Sequence, residues 1–143
     1  LTIENAGSIP EPLRPLIGNR VFGCDDCQLV CPWNRRAAGS VEPDFRPRNG
    51  LDRAALVELF AWDEATFMAR TAGSAIRRIG HRCWLRNLAV GLGNAPPSAA
   101  VRAALARRSD DPSPLVREHV AWALTRLAGR ADRPPSIHED RGR

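Results

Sequence analysis

The sequence predicts a mostly α-helical protein whose first third is irregular and carries cysteines. Three observations predict it. Residues 51–130 place apolar residues at helical spacing, with capping residues at the breaks. Residues 1–50 are punctuated by Gly and Pro and show little helical period. Three of the four Cys fall within that irregular stretch. The expected division is 1–50, 51–130 and a polar, disordered tail over 131–143.

In the first stretch Gly7, Pro10, Pro12, Pro15, Gly18, Gly23, Pro32, Pro43 and Pro47 interrupt every apolar repeat. Such a segment cannot build an ordinary core and is expected to fold around something inorganic. From Leu51 onward the pattern is helical. Asp52–Phe60 is rich in Ala and Leu, and Asp63 or Glu64 opens a second helix to about Arg70. Ser74 caps a turn over Ala75–Ile79. Leu85, Leu88, Ala89 and Leu92 form one stripe at i, i+3, i+4 and i+7, and Gly93–Pro97 ends that helix. Ser98 caps the next, which buries Val101 and Leu105. Ser113 at N-cap and Pro114 at the first helical position open the last helix. Its stripe is Val116, Val120, Leu124 and Leu127, with Gly129 as the expected stop.

The last two helices, joined through Asp110-Asp111-Pro112, form a HEAT-type pair. One good pair and a poorer one upstream fall short of the roughly three repeats such arrays need. The cysteine segment or further sequence is expected to cap them.

The chain has 143 residues, 43% hydrophobic and 26% charged, as globular proteins do. No apolar run approaches the roughly 20 residues of a membrane span, so no membrane partner is expected. The net charge of +5 suits an acidic partner such as RNA. All 21 basic residues are Arg and Tyr is absent, a bias that a GC-rich genome produces as readily as phosphate recognition. The chain opens on Leu1 and reads as the middle of something longer, with no visible signal peptide.

The sharpest local signal is Cys24-Asp25-Asp26-Cys27-Gln28-Leu29-Val30-Cys31-Pro32. Its C-x2-C-x3-C-P spacing is the second half of a bacterial ferredoxin-type run, in which the Cys before Pro serves the other cluster. Cys24 and Cys27 then belong to one 4Fe-4S cluster and Cys31 to a second. Each cluster takes four thiolates, so five further ligands are expected upstream of Leu1, and the chain alone should hold neither cluster well. The fold class is thus mostly α, an irregular ferredoxin-like iron–sulfur segment followed by HEAT-like helical repeats. A zinc site of the three Cys with His81 has suitable ligand chemistry, but His81 lies fifty residues beyond Cys31 on an expected helix. A disulfide pair fits this spacing poorly. Cys83 reads as a small buried apolar residue rather than a ligand.

The words around the motif are more specific than its spacing. Gly7-Ser8-Ile9-Pro10 and Leu13-Arg14-Pro15-Leu16-Ile17-Gly18-Asn19-Arg20 lead into Gly23–Gln28 and Cys31-Pro32-Trp33-Asn34. Gly73–Arg78, Trp84-Leu85-Arg86-Asn87 and Asp111–His119 follow. This string resembles the epoxyqueuosine reductase family up to about Gly129. The resemblance implies the carboxy-terminal piece of an enzyme that reduces the epoxide of epoxyqueuosine in tRNA. It implies two 4Fe-4S clusters held in part by Cys24, Cys27 and Cys31. It also implies cobalamin, bound mainly by a missing amino-terminal domain and touched here at Cys24 and Asp25. No catalytic residue is expected within this chain. The implied partners are tRNA carrying epoxyqueuosine and an unidentified electron donor, for a cytoplasmic monomer. Ala6 stands where many relatives carry Lys, and Cys83 where a larger polar residue is expected.

Arg82 and Arg86 are four apart and share a helix face, with Arg78 just upstream beyond Gly80 and Arg70 and Arg77 extending the patch. These four, Arg77, Arg78, Arg82 and Arg86, are the candidate tRNA contacts, since guanidinium forks suit phosphate. The competing reading is an ordinary solvated helix face. Trp62, Trp84 and Trp122 are expected in the core, and Trp33 against a cluster. Two other functions compete with the reductase: an electron-transfer iron–sulfur protein with a helical docking domain, and a non-enzymatic helical adaptor with a metal-stabilised cap.

Overall fold

The computed structural model describes residues 1–43 and 46–131, so the tail expected over 131–143 lies, from residue 132 on, outside the described residues. Among the described residues there are helices and turns but no strand. A 3-10 turn at Glu11–Leu13 runs into α1 (Arg14–Ile17). The short α2 (Asp26–Leu29) and a 3-10 turn at Asn34–Arg36 follow. Beyond them come α3 (Leu56–Phe60), α4 (Glu64–Arg70) and a 3-10 turn at Ala75–Ile79. Three longer helices complete the chain: α5 (Gly80–Asn94), α6 (Ala99–Ala106) and α7 (Pro114–Ala131).

The caps sit where the side chains dictate. Asp63 accepts the Thr66 amide at 2.7 Å, Ser98 the Val101 amide at 3.2 Å, and Ser74 the Ile76 amide at 3.3 Å. Each satisfies an amide that the first helical turn leaves free. The hydrogen bonds from the Thr66 side chain and amide hold the Asp63 carboxyl below its usual range. Two boundaries differ from the sequence reading. α3 begins at Leu56, because Asn49 and Gly50 both take positive φ (57° and 68°) and the chain is still turning at Leu51–Arg53. α7 passes through Gly129 to Ala131, with nothing near Gly129 to stop it. Arg130 instead reaches across to the carbonyl end of α5, donating to the Asn94 and Ala95 carbonyls at 3.0 and 3.2 Å.

α5 is the axis of the molecule. Every residue from Cys83 to Gly93 is buried, so the expected single stripe of Leu85, Leu88, Ala89 and Leu92 is in fact a helix enclosed all round. α7 covers it most extensively, α3, α4 and α6 pack on other sides, and α1 closes the remainder. The core joins Phe60, Phe67, Trp84, Leu88, Leu92, Leu105, Val116, Val120, Ala123 and Leu127. Leu124, expected in the α7 stripe, is only partly buried, and Ala123 takes the inner place. Trp62 and Phe67 pack against Trp84, with ring centroids 6.0 and 5.8 Å away.

Gly93 shows how closely α5 and α7 approach. A Cβ there would lie 2.7 Å from Trp122 Cζ3 and 2.9 Å from the Ala123 Cα. Backbone cannot yield as a side-chain tip does, so the site admits glycine alone. Gly93→Ala is expected to lower stability by about 1–3 kcal/mol through overpacking, despite the gain in helix propensity. Gly129→Ala, in open space on α7, should raise it by up to about 1 kcal/mol. Urea denaturation of the two variants checks the opposite signs.

Candidate functional site

The approach to the cysteine motif is moulded onto α5. The Asn87 side-chain amide donates to the Thr2 carbonyl at 2.7 Å and the Val21 carbonyl at 2.8 Å. The Thr2 hydroxyl in turn accepts the Gly23 amide at 3.0 Å. The backbone entering Cys24 is thus tied to the core through one asparagine. Gly23 (φ 71°) and Asp25 (φ 53°) then turn the chain on either side of Cys24. The Asp25 carbonyl accepts the Gln28 and Leu29 amides, starting α2 with Cys27 in its single turn. Arg20 pairs with Asp26 at 2.7 Å, and the Asn34 side-chain amide donates to the Gln28 carbonyl at 3.1 Å, folding the exit beyond Pro32 back on the turn.

This arrangement presents the sulfurs outward. Cys24 and Cys27 are exposed, Cys31 is half-buried, and all three are free thiols. Leu29, Val30 and Trp33 beside them in sequence are also open, 73%, 70% and 85% exposed. A groove of about 510 Å³ lies alongside, lined by Leu1, Ile3, Leu13, Leu16, Ile17 and Cys24 among others. Accessible thiolates on one turn suit soft-metal and iron–sulfur ligation. Among the described residues, no group of three His, Cys, Asp or Glu gathers around one point. The donor set therefore fits a shared site to which other ligands contribute, and does not fit a self-contained four-ligand one.

The zinc alternative finds no support. The His81 ring nitrogen Nε2 is bonded to the Trp62 carbonyl at 2.9 Å and the ring lies against Phe67. Cys83 is buried, as expected, with its thiol toward the Ala6 carbonyl at 3.8 Å.

The basic candidates divide. Arg77, Arg78 and Arg82 are exposed around the start of α5, with Arg78 paired to the exposed Glu4 at 2.9 Å. Arg86 is a correction to the sequence reading. Its exposure is 0%, and it cannot touch an external phosphate. Its guanidinium donates to the Leu1, Asn5 and Gly7 carbonyls at 3.2, 2.6 and 2.6 Å and to Asn87 Oδ1. Burial pulls its pKa below the ordinary value, but a guanidinium stays charged. The i, i+4 spacing does align Arg82 with Arg86, but the amino-terminal segment covers the second turn and not the first.

Sequence reasoning also missed Arg14, which is 4% exposed. It donates to the Ile9 carbonyl at 2.8 Å, pairs with Glu118 and lies over the Trp122 ring at 5.7 Å. The one visible signal for Arg86 and Asn87 is their place inside the apolar run from Cys83 to Val90.

The structure defines the class as a helical protein with a cysteine-bearing amino-terminal segment clamped to its helices. Residues 1–34 match the family model of the 4Fe-4S double cluster binding domain. The particular proteins that the chain matches are the epoxyqueuosine reductases. It is 67% identical over 124 residues to that of Xanthomonas campestris pv. campestris, covering 87% of this chain and 35% of that protein. It is 64% identical over 126 residues to that of Pseudomonas aeruginosa, covering 88% and 35%. It also superposes on a crystal structure of epoxyqueuosine reductase with an epoxyqueuosine-modified tRNA-Tyr stem loop. There the TM-score is 0.80 at 29% identity, over 89% of this chain and 34% of that one. The chain spans about a third of the length of the curated relatives it matches.

Arg86→Leu should strip three backbone carbonyls of their donor, at about 1–3 kcal/mol for each one that stays buried. Thermal unfolding should show that loss, and exposed Arg82→Ala a change within about 0.5 kcal/mol.

Proposed function

We propose that the chain is part of an epoxyqueuosine reductase, which reduces the epoxide of epoxyqueuosine in tRNA to queuosine. The observation that carries this reading is the identity of 67% across 87% of the chain, spanning the cysteine motif and the helices alike. In this reading residues 1–50 are part of a ferredoxin-like segment and residues 51–130 a HEAT-like helical repeat, with α6 and α7 as its clearest pair.

Cys24 and Cys27 would ligate one 4Fe-4S cluster and Cys31 the second, with the remaining thiolates supplied from outside this chain. Cys24 and Asp25 would lie against cobalamin. When bound, the clusters and the corrin supply the low-potential electrons that the epoxide reduction needs. The chain's own contribution is positional. Asn87 and Thr2 hold the backbone before Cys24, the left-handed Asp25 turns the chain between Cys24 and Cys27, and the exposed Leu29, Val30 and Trp33 beside them leave apolar surface for further parts of the enzyme to cover.

The basic rim at Arg77, Arg78 and Arg82 would take tRNA phosphates, and Arg86 is withdrawn from that set. In this reading a tRNA substrate implies a cytoplasmic enzyme. None of the described helices is long and apolar enough to cross a membrane.

In the full-length enzyme that contains this chain, Cys24→Ser should abolish the visible absorption of one cluster and the reductase activity with it. Binding of an epoxyqueuosine-modified stem loop should weaken linearly with log salt. Arg77→Ala and Arg82→Ala should each reduce that slope by about one. Salt-independent binding, untouched by both substitutions, would remove the RNA assignment.

A further inference from the structure

Where the amino-terminal segment meets α7 it rests on a histidine that has room for only one charge state. His119 is fully buried. Its Nε2 faces the Ile9 amide at 3.2 Å, and its Nδ1 faces the Leu115 carbonyl at 2.8 Å. An amide N–H only donates and a carbonyl only accepts. The ring must therefore carry its single proton on Nδ1 and leave Nε2 bare. The neighbours complete the enclosure. Arg14 faces the ring from α1, Arg86 from α5 and Glu118 from α7 itself, with Ser8 donating to Glu118 at 2.7 Å. Two of these three charges are positive.

We propose that His119 is a proton-sensitive latch: a proton on Nε2 breaks its bond to Ile9 and releases the segment around Ile9–Ile17 from α7. A proton there would set N–H against N–H and place a third cation among Arg14 and Arg86. The remaining ties of that segment are Arg14, paired with Glu118 and lying over the Trp122 ring, Asn94, which donates to the Arg14 and Gly18 carbonyls at 2.9 Å each, and the packing of Ile9 and Ile17 with Val90 and Trp122. Release has a consequence for the candidate site, because Leu13, Leu16 and Ile17 form one wall of the groove beside Cys24.

The electrostatics agree with the geometry. Burial above all, then the Arg14 charge, holds the imidazole below its ordinary value, against the Leu115 carbonyl and Glu118, which favour protonation. Glu118 also lies below its ordinary value; burial raises it, but the Ser8 and Arg14 hydrogen bonds outweigh that. The sign follows for the histidine. With a depressed folded pKa, the released state binds the proton more tightly, so docking weakens as pH falls below about 6.5. Between about 6.5 and the lower folded pKa the opening constant should rise by up to about tenfold for each pH unit of acidification, and it levels off below the folded pKa, where both states carry the proton.

Amide hydrogen exchange and ring-nitrogen NMR on the 143-residue chain, between about pH 7.5 and 5, test this above the range where carboxylates titrate. The expected result has three parts. At neutral pH the His119 ring shows the Nδ1–H tautomer. On acidification the Ile9 amide loses protection, relative to its intrinsic exchange rate, in step with ring protonation. Amides in the middle of α7 keep theirs. In His119→Gln, whose side chain does not titrate, the Ile9 protection should be independent of pH. An Ile9 amide equally protected on both sides of the ring titration would overturn the latch. So would a pH-dependent loss that persists in His119→Gln. If that variant loses α7 protection throughout, the comparison of ring titration with Ile9 exchange in the unsubstituted chain decides.

Discussion

A buried guanidinium and the asparagine beside it organise this molecule. Arg86 and Asn87 sit side by side on α5, enclosed by their own chain, and donate to the carbonyls of Leu1, Thr2, Asn5, Gly7 and Val21. Those carbonyls belong to a segment with almost no regular backbone bonding of its own. In the interior an unpaired carbonyl costs about as much as a lost hydrogen bond, so an irregular segment stays docked only where side chains replace a ladder. Asn87 Oδ1 accepts from Arg86 in turn, orienting both donors.

The helices are arranged to make that docking site. Because α5 is covered on every side, the polar pair can be polar only inward, toward the strip of backbone laid over it. The other flank depends on close approach. Gly93 lets Trp122 and the α7 backbone come within contact of α5, and the guanidinium groups of Arg14 and Arg126 each lie over the same Trp122 ring, 5.7 and 5.6 Å from its centroid. One aromatic ring therefore joins α1, α5 and α7. Arg108 does similar work where α6 ends, donating to the Phe60 and Trp62 carbonyls and pairing with Asp111.

The division of labour between the two parts follows. The helical body contributes rigidity, fixing Val21 and Gly23 so that Cys24 leaves the core at a set point. The cysteine turn contributes accessible thiols, and among the described residues no group of three ligand side chains gathers around them. That agrees with a chain spanning about a third of the epoxyqueuosine reductases it matches. Arginine serves two purposes in such a protein. Arg77 and Arg82 stand in water, where a long charged side chain is ordinary, while Arg14 and Arg86 are buried structural donors.

Much of this was legible in the sequence. Caps at Asp63, Ser74 and Ser98 act through their own local amides, and Pro114 at a helix start needs no partner, so single residues suffice to place them. The words around the cysteines likewise carried the resemblance to epoxyqueuosine reductases without a fold, and the 67% identity to one of them agrees with it. The sequence could not say that Arg86 is buried while Arg82 is exposed, since four-residue periodicity puts both on one face. Nor could it show that α5 is enclosed all round, that Gly129 is passed by a helix, or that His119 meets Ile9. Those facts depend on which surface a distant segment covers. Local propensity and spacing determined the elements and the motif; the burial of each polar side chain was decided only when residues some eighty positions apart came together, because solvation is a property of the neighbours and not of the residue.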